Sequence, residues 1–383
     1  MKIKLVFIFL ILCSGFNLGA QTRNDSLTLS FKPYSSFRGH FSLFNGELEI
    51  QQNASRIGFE IALSKENSTF FAGSELSLNM FRGDQQFNLD ASTSGGFIDI
   101  DSYQVNQVFG TRLGYLGVKF KRGGTIMVGK QWSVYYDVTG YTDKFNVFGG
   151  GGTATYTSGT DGGTTGTGRA DQAITYRNQF GKLHLGLQLQ AENANNNHII
   201  DGYGISGQLE LIKGLKIGGT YYRVLIQDTL RKNTIGFDKN PEYMAFGINY
   251  VNNKWDLGLV YSDQSNGDLR RNYIGNDIAA IVFDASGIEF YSKYTFQEFS
   301  IIAGFNQYKP KILNLPLSNG FKTDYYILGF EYKPLKHAYF YSEFRINSNN
   351  NRDHLGEKSV NVYTAGLRID LERSFNRIIM TSK

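Results

Sequence analysis

The sequence predicts an all-β fold, a closed antiparallel transmembrane β-barrel of sixteen strands. Three observations lead there. Apolar and polar residues alternate with period two through run after run, which is the pattern of strands with one oily face. The connections between those runs sort into short and long ones in alternation, as the two rims of a membrane barrel require. The composition, with 44 Gly, 30 Phe and 24 Tyr but only 5 Pro, suits an exported chain of many strands and many turns.

Export is read from the amino terminus. MKIKLVFIFLILCSGFNLGAQ carries Lys2 and Lys4, an apolar run from Leu5 to Leu12, and small residues at Gly19 and Ala20 before a polar start. This is the pattern of a secretory signal peptide, residues 1–20, cleaved after Ala20. Leu12 stands before Cys13 where a lipoprotein site would want a small residue, so lipid attachment is disfavoured. Cleavage removes the only cysteine, leaving no disulfide, thiol catalyst or thiolate metal site. It leaves 37 basic against 34 acidic residues, interspersed in blocks too short for a nucleic-acid stripe. No other run has the roughly 18 apolar residues of a membrane helix.

The strands justify themselves one by one. Leu183, Leu185, Leu187 and Leu189 interleave with His184, Gly186, Gln188 and Gln190; Tyr203, Ile205, Leu209 and Leu211 oppose Gly204, Ser206, Gln208 and Glu210. Trp255, Leu257, Leu259 and Tyr261 share one face, and Tyr363, Ala365, Leu367, Ile369 and Leu371 another. Sixteen candidates begin near Tyr34, Asn53, Asn67, Thr111, Gly124, Arg169, Leu183, Tyr203, Leu215, Glu242, Trp255, Gly287, Phe299, Lys322, Ala338 and Val360. Short turns fall at Lys65-Glu66, Lys121-Gly123, Phe180-Gly181, Lys213-Gly214, Asn252-Lys254, Gln297-Glu298 and Pro334-His337. Long connections cover Arg82 to Gly110, Trp132 to Gly168, Ala191 to Gly202, Ile226 to Pro241, Gln264 to Ala285, Lys309 to Gly320 and Asn347 to Ser359.

Closure follows from physics, because each unpaired backbone group in lipid costs several kcal/mol and an open edge cannot sit in hydrocarbon. The polar faces then line a lumen wide enough for water and small solutes. Tyr203, Tyr221, Trp255, Tyr261, Phe340 and Tyr363 fit interfacial girdles. Arg56 shares the inward face with Gly58 and Glu60, and Arg169 with Asp171, Thr175 and Arg177. Arg112 opens a strand with Leu113 and Tyr115 outward, but Val118 and Phe120 then fall inward, which calls for a bulge or a different register.

The longest excursion between strands is Trp132 to Gly168. Its first half holds Trp132, Tyr135, Tyr136, Tyr141, Phe145 and Phe148; its second, from Gly149, is nearly all Gly, Thr, Ser and Ala and needs no packing partner. Two readings stay open on these residues alone: a surface loop with scattered aromatics, or a segment anchored at both ends and folded inside the barrel.

The stretches GKQWSVYYDVTGYTDKFNVFGG and GTGRADQAITYRN, with ASRIGFEI, GTRLGYLGVKF and VYTAGLRIDL as weaker echoes, resemble the general diffusion porins of Gram-negative outer membranes. That resemblance implies a trimer of sixteen-stranded barrels in the outer membrane, each with its third long loop folded into the lumen, passing ions and small hydrophilic solutes by diffusion. It implies a constriction in which Arg56, Arg112 and Arg169 on the wall face Asp143 on the loop. The family's second loop acid is Val147 here, preceded by Asn146 instead of proline and followed by Phe148, so one negative charge is missing and a weak anion preference is expected. The resemblance also implies that the connection Arg82 to Gly110 latches over a neighbouring subunit and that outward faces near the chain ends pack about the threefold axis.

The barrel domain is expected over residues 21–371. Such barrels usually close on an aromatic residue, whereas here Leu371 ends the alternation, so residues 372–383 form either a short tail or the end of the last strand. No nucleophile context surrounds His40, His184, His198, His337 or His354, which speaks against an enzyme. The acids are too scattered for a metal, and no cofactor or nucleic-acid partner is implied; the partners are lipid, small ions and solutes, and further copies of the chain. A porin selective for phosphate, sugars or peptides is the alternative, with a non-channel structural barrel behind it; no lysine ladder or aromatic track marks the former.

Overall fold

The computed structural model describes residues 26–81, 86–91, 109–192, 199–228, 239–274, 277–311, 322–348 and 359–380. The expected signal peptide and Cys13, most of the Arg82 to Gly110 connection, and the middles of the connections after Ala191, Ile226, Lys309 and Asn347 lie outside the described residues.

Eighteen antiparallel segments form one sheet that closes on itself. In chain order they are β1 (Ser26–Phe44), β2 (Glu47–Gln52), β3 (Arg56–Lys65), β4 (Ser68–Leu78), β5 (Phe109–Phe120), β6 (Gly124–Trp132), β7 (Arg169–Phe180), β8 (Leu183–Gln190) and β9 (Gly202–Ile212). They continue as β10 (Leu215–Val224), β11 (Glu242–Val251), β12 (Trp255–Ile274), β13 (Asp277–Phe296), β14 (Phe299–Pro310), β15 (Thr323–Leu335), β16 (Ala338–Asn347), β17 (Val362–Glu372) and β18 (Phe375–Met380). Both β2 and β3 pair with β1, over Gly39–Phe44 and Thr28–Ser36, so they are one stave interrupted at Asn53 to Ser55, where Ala54 takes φ +54°. On its other side β1 pairs with β17 over Tyr34–Leu43 and with β18 over Ser26–Phe31. The barrel therefore has sixteen staves, and Phe375–Met380 continues the last of them along β1.

Which residues face out follows from the alternation. Leu187, Ile205, Phe246, Ile248, Tyr261, Leu328 and Phe330 are among the exposed large apolar residues, while Gln188, Ser206, Ser262, Glu289, Glu331, Glu343 and Thr364 are buried. This inversion of a soluble protein puts the oily face toward lipid and the polar face inside. No helix among the described residues is long and apolar enough to cross a membrane; the crossing is made by strands. Along the short-turn rim Trp255, Tyr294, Phe296, Phe299 and Tyr332 form a continuous run of ring contacts with centroids 4.7 to 6.1 Å apart, a girdle of the kind that anchors a barrel at the interface.

Two expectations need correction. The stretch Gln264 to Ala285 is not a loop: β12 and β13 run on as a hairpin from Asp268↔Phe283 to Ile274↔Asp277, after a register shift between Gln264 and Asp268. The charged pair Arg270-Arg271 interrupts the oily alternation there, although backbone pairing does not depend on it. In β5 the outward side is not Leu113 and Tyr115. Glu75 pairs Leu113 and Leu76 pairs Thr111, so Arg112 is the extra residue of a bulge. Arg112 and Leu113 are consecutive buried residues, and from there Leu116 faces out while Tyr115 turns in and donates to Glu60 at 3.0 Å.

Candidate functional site

The bulge in β5 delivers Arg112 into a cluster of guanidinium groups on the inner wall. Arg56 opens β3 and Arg169 opens β7, directly after the long central segment, and all three converge on a residue the sequence reading did not single out, Asp90. Arg169 Nη1 lies 2.7 Å and Arg112 Nη2 2.9 Å from Asp90 Oδ1, and Arg56 Nη2 lies 3.5 Å from Oδ2. Arg112 also reaches Glu75 on β4 at 2.8 Å, with Arg56 3.6 Å from the same carboxylate. Asp161 and Asp171 extend the network through Lys130 at 2.8 and 2.5 Å, and Asp161 stands 3.5 Å from Arg169 Nε. Burial raises the cost of a charge on Asp90, but Arg112, Arg56 and Arg169 outweigh it and hold the carboxyl well below its ordinary range. Arg38 on β1 adds a further buried guanidinium, donating to Ser36 at 2.6 Å.

Asp90 sits on a 3-10 turn, Leu89–Ala91. It belongs to the connection expected to latch onto a neighbouring subunit. Within the chain, residues 86–91 of that connection make further contacts. Beyond the arginines, Asn88 donates to Asn53 and to the Asn146 carbonyl, and Phe87 meets Phe44 edge-on at 5.2 Å.

The central segment is held to the barrel wall by two buried glutamates. Glu343 on β16 accepts the backbone amides of Asn146 and Val147 at 2.6 and 2.8 Å, with that of Phe148 at 3.4 Å. Glu289 on β13 accepts those of Gly152 and Thr153 at 2.7 and 2.8 Å and the Thr142 hydroxyl at 2.5 Å. Between these polar anchors the aromatics pack: Tyr135, Val138 and Tyr141, on and beside the short helix α1 (Tyr136–Thr139), lie against Tyr222, Tyr243, Ala245 and Val260. Val147 and Phe148 lie against Tyr325, Ile327, Tyr339, Tyr341 and Val362. Glycines on the wall make the approach possible; an added Cβ at Gly287 would stand 1.5 Å from the Gly152 carbonyl oxygen and one at Gly304 2.1 Å from the Phe145 ring.

The Gly/Thr half, expected to need no packing partner, is buried almost throughout. Its threonines bond to one another, Thr153 to Thr155, Thr155 to Thr139, Thr157 to Thr165 and Thr165 to Thr167, and Arg169 N–H donates to the Asp161 carbonyl to start β7. The small side chains allow this self-contained network, because each hydroxyl can both donate and accept.

Asp143 approaches the arginines only through intervening side chains. Its carboxylate accepts from Tyr156 and Tyr136 at 2.7 and 3.0 Å, and Tyr156 Oη is also 3.4 Å from Asp90 Oδ1, so a tyrosine and Asp90 stand between it and the wall. Burial first, and the nearby Asp90 charge second, push Asp143 up to about 6. Of the expected constriction residues, Arg56, Arg112 and Arg169 are brought together, and Asp143 is joined to them through Tyr156 and Asp90. Val147 and Phe148 are turned into the wall, 1% and 2% exposed, and do not meet water. The reason is their backbone: with both amides on Glu343, the side chains are directed into the aromatic pocket. Asp90, Glu75, Glu289 and Glu343 escaped the sequence reading; inward parity marks the last two as lumenal, but no spacing marks them as anchors.

Below the segment a cavity of about 740 Å³ opens among the turns at the short-turn rim, lined by Lys119, Arg122, Asp137, Arg177, His184 and Gln208. Among the described residues no group of His, Cys, Asp and Glu could hold a metal ion.

Residues 44–353 match the family model described as Gram-negative porin. Outer membrane porin F of Xenorhabdus nematophila is 28% identical over 276 residues, 67% of this chain and 73% of that protein. Outer membrane porin N of Escherichia coli is 31% identical over a shorter stretch, 41% of this chain and 45% of its own length. Among solved structures, Salmonella typhi OmpF, in complex with daunomycin, superposes with a TM-score of 0.66 over 90% of this chain and 97% of that one, at 19% identity, a likeness of fold.

Proposed function

The chain belongs to the Gram-negative porin family, as a channel-forming barrel of the outer membrane, and from that premise we propose that residues 132–168 lie within the lumen and set the size limit for passive diffusion of ions and small hydrophilic solutes. The observation that carries the proposal is the double anchoring of the segment by Glu343 and Glu289, both on inward parity of the barrel wall, with aromatic packing on the same side. Asp143, Tyr136 and Tyr156 join the arginine wall through Asp90 in one bonded cluster, and the passage runs beside that cluster. The protein acts as a channel and not as an enzyme.

Selectivity follows from the local charges. Arg38, Arg56, Arg112, Arg169 and Lys130 meet Glu75, Asp90, Asp161 and Asp171, leaving the cations ahead by one; an ionised Asp143 cancels it. Water and salt screen what remains over about 8 Å at physiological ionic strength. The preference for anions is accordingly weak near neutral pH and larger once Asp143 is protonated. This is less anion-selective than three arginines against one aspartate would be, because Asp90 and Glu75 already pair them.

We assign the working state as a homotrimer. Phe31, Phe41, Phe59, Ile61, Leu367 and Leu371, exposed on the staves near the two chain ends, supply an apolar face that suits either lipid or a copy of the chain. Crosslinking in mild detergent tests it: trimeric products are expected, and monomer alone would overturn the assignment. The channel reading is tested by the reversal potential of purified protein in a planar bilayer under a potassium chloride gradient, with a small anion-directed potential at pH 7. A strongly cation-selective potential would contradict the charge assignment. No conductance under any condition would contradict the channel.

A further inference from the structure

The arginine wall is occupied by a piece of the chain that resembles a ligand. Asp90 presents two acceptors to it at once. Its carboxylate takes Arg112 at 2.9 and 3.1 Å and Arg169 at 2.7 Å, with Arg56 at 3.5 Å and Tyr156 at 3.4 Å. Its main-chain carbonyl takes Arg112 Nη1 at 2.7 Å and Arg169 Nη1 at 3.1 Å. Arg112 thus grips carboxylate and carbonyl with its two terminal nitrogens, a planar fork matched to paired oxygens. Between those two acceptors lie Cβ and Cα, so the gripped fragment is carboxylate, two carbons, carbonyl. That is the skeleton of succinate.

The turn carrying Asp90 reaches this position by contacts that do not depend on the arginines. Phe87 is packed edge-on to Phe44 and lies 6.4 Å from Phe148, with the Arg345 guanidinium over its ring at 5.3 Å. Asn88 bonds Asn53 and the Asn146 carbonyl. Arg112 and Arg169, by contrast, are fixed from below by Glu75 and Asp161, on strand and central segment. The site and its occupant are therefore built by different parts of the chain.

We propose that Arg56, Arg112 and Arg169 form a recognition site for a four-carbon dicarboxylate, which the chain fills in cis with Asp90. The proposal rests on the channel reading above and adds to it a solute class: such solutes compete with Asp90 for the arginines during passage, whereas monocarboxylates lack the second acceptor. A site built to hydrogen-bond two groups discriminates against a solute that offers only one, because the unmatched donors are left unpaired.

The test compares the native chain with one carrying Asp90→Ala and Phe87→Ala, which remove the occupant's carboxylate and its apolar anchor and leave every arginine in place. Two readouts are taken at low salt, single-channel current and thermal stability in detergent, each with added succinate or propionate. In the variant succinate is expected to interrupt the current and raise the unfolding temperature, at concentrations about tenfold below those at which propionate acts; in the native chain, where Asp90 competes, succinate acts only at higher concentrations. If the double variant does not assemble, Asp90→Ala alone takes its place with the same expectations. Equal effects of succinate and propionate would show generic attraction of anions and overturn the proposal, as would a variant that ignores succinate. Equal blocking of native and variant chains would show that Asp90 does not compete. A chain that is stabilised by succinate yet carries no current would sink the channel reading and leave the binding site standing.

Discussion

Glu343 receives the amide of Val147 at 2.8 Å while the Val147 side chain disappears into the aromatic pocket of the wall beside it. One carboxylate thereby decides both where the central segment is tied down and which way its side chains point. A charge-assisted hydrogen bond contributes roughly 1.5–3 kcal/mol, and Glu343 accepts several. Replacing Glu343 by Gln keeps the shape but removes the charge and one acceptor. The segment should loosen, visible as larger and noisier single-channel current with the barrel intact in its heat-shifted migration. Unchanged current and stability would mean that Glu343 is not an anchor.

Val147→Glu is a sharper case. If position 147 faced water, the substitution would add a fixed charge to the passage and increase cation permeability. With Val147 1% exposed and its amide on Glu343, the new carboxylate would instead be buried against an existing one, a change of the kind that costs several kcal/mol. The expected result is a lower unfolding temperature and a displaced segment, with Val147→Ile close to native. A stable, purely more cation-selective Val147→Glu channel would contradict the burial.

Gly287 tests the packing from the wall side. A Cβ there would meet the Gly152 carbonyl oxygen at 1.5 Å, and that atom is backbone with nowhere to turn. Gly287→Ala should push the segment off β13, breaking the bonds of Gly152 and Thr153 to Glu289 and raising conductance. Gly207→Ala, whose nearest neighbour would be a Leu185 methyl at 3.7 Å, is the matched control and should be silent.

Acid should alter selectivity in one direction. Asp143 is pushed up to about 6 by burial and by Asp90, against an ordinary value of 3.8. It therefore takes up its proton as pH falls through 6, while Asp90, held down by the arginines, keeps its charge. The local sum becomes more positive, and the reversal potential should move toward anions between pH 7 and 5. The same raised value makes Asp143 favour the folded state below about pH 4, an advantage lost as pH rises through 6. Asp143→Asn should remove this pH step from the reversal potential; a step of unchanged size would assign it elsewhere.

Much of this architecture can be read from the chain. Strand starts near Gly124, Arg169, Leu183, Leu215, Glu242, Trp255, Phe299 and Ala338 agree with the observed ones, because oily alternation and turn residues are local signals. The conflict of parity around Arg112 pointed to a bulge, and the bulge is Arg112 itself. What remained hidden is long-range. Asp90 looks like any acid in a polar connection, and only the folded chain shows that three arginines surround it. Glu289 and Glu343 look like solvated lumenal residues until the orphan amides of a distant segment are laid on them. The Gly/Thr tract looks like slack because small residues carry no apolar signal, yet its hydroxyls form a network no period reveals.

The central claim, that residues 132–168 occupy the lumen and limit passage, is tested most directly by single-channel conductance in a planar bilayer, native against a chain lacking Gly150 to Thr165. The deletion removes the amides from Glu289 but leaves the Glu343 anchor and every stave of the barrel. The account predicts a channel that still assembles, with clearly larger conductance and passage of larger uncharged solutes. An unchanged conductance, with the native segment open to externally added protease, would show that it lies outside the passage and would contradict the account.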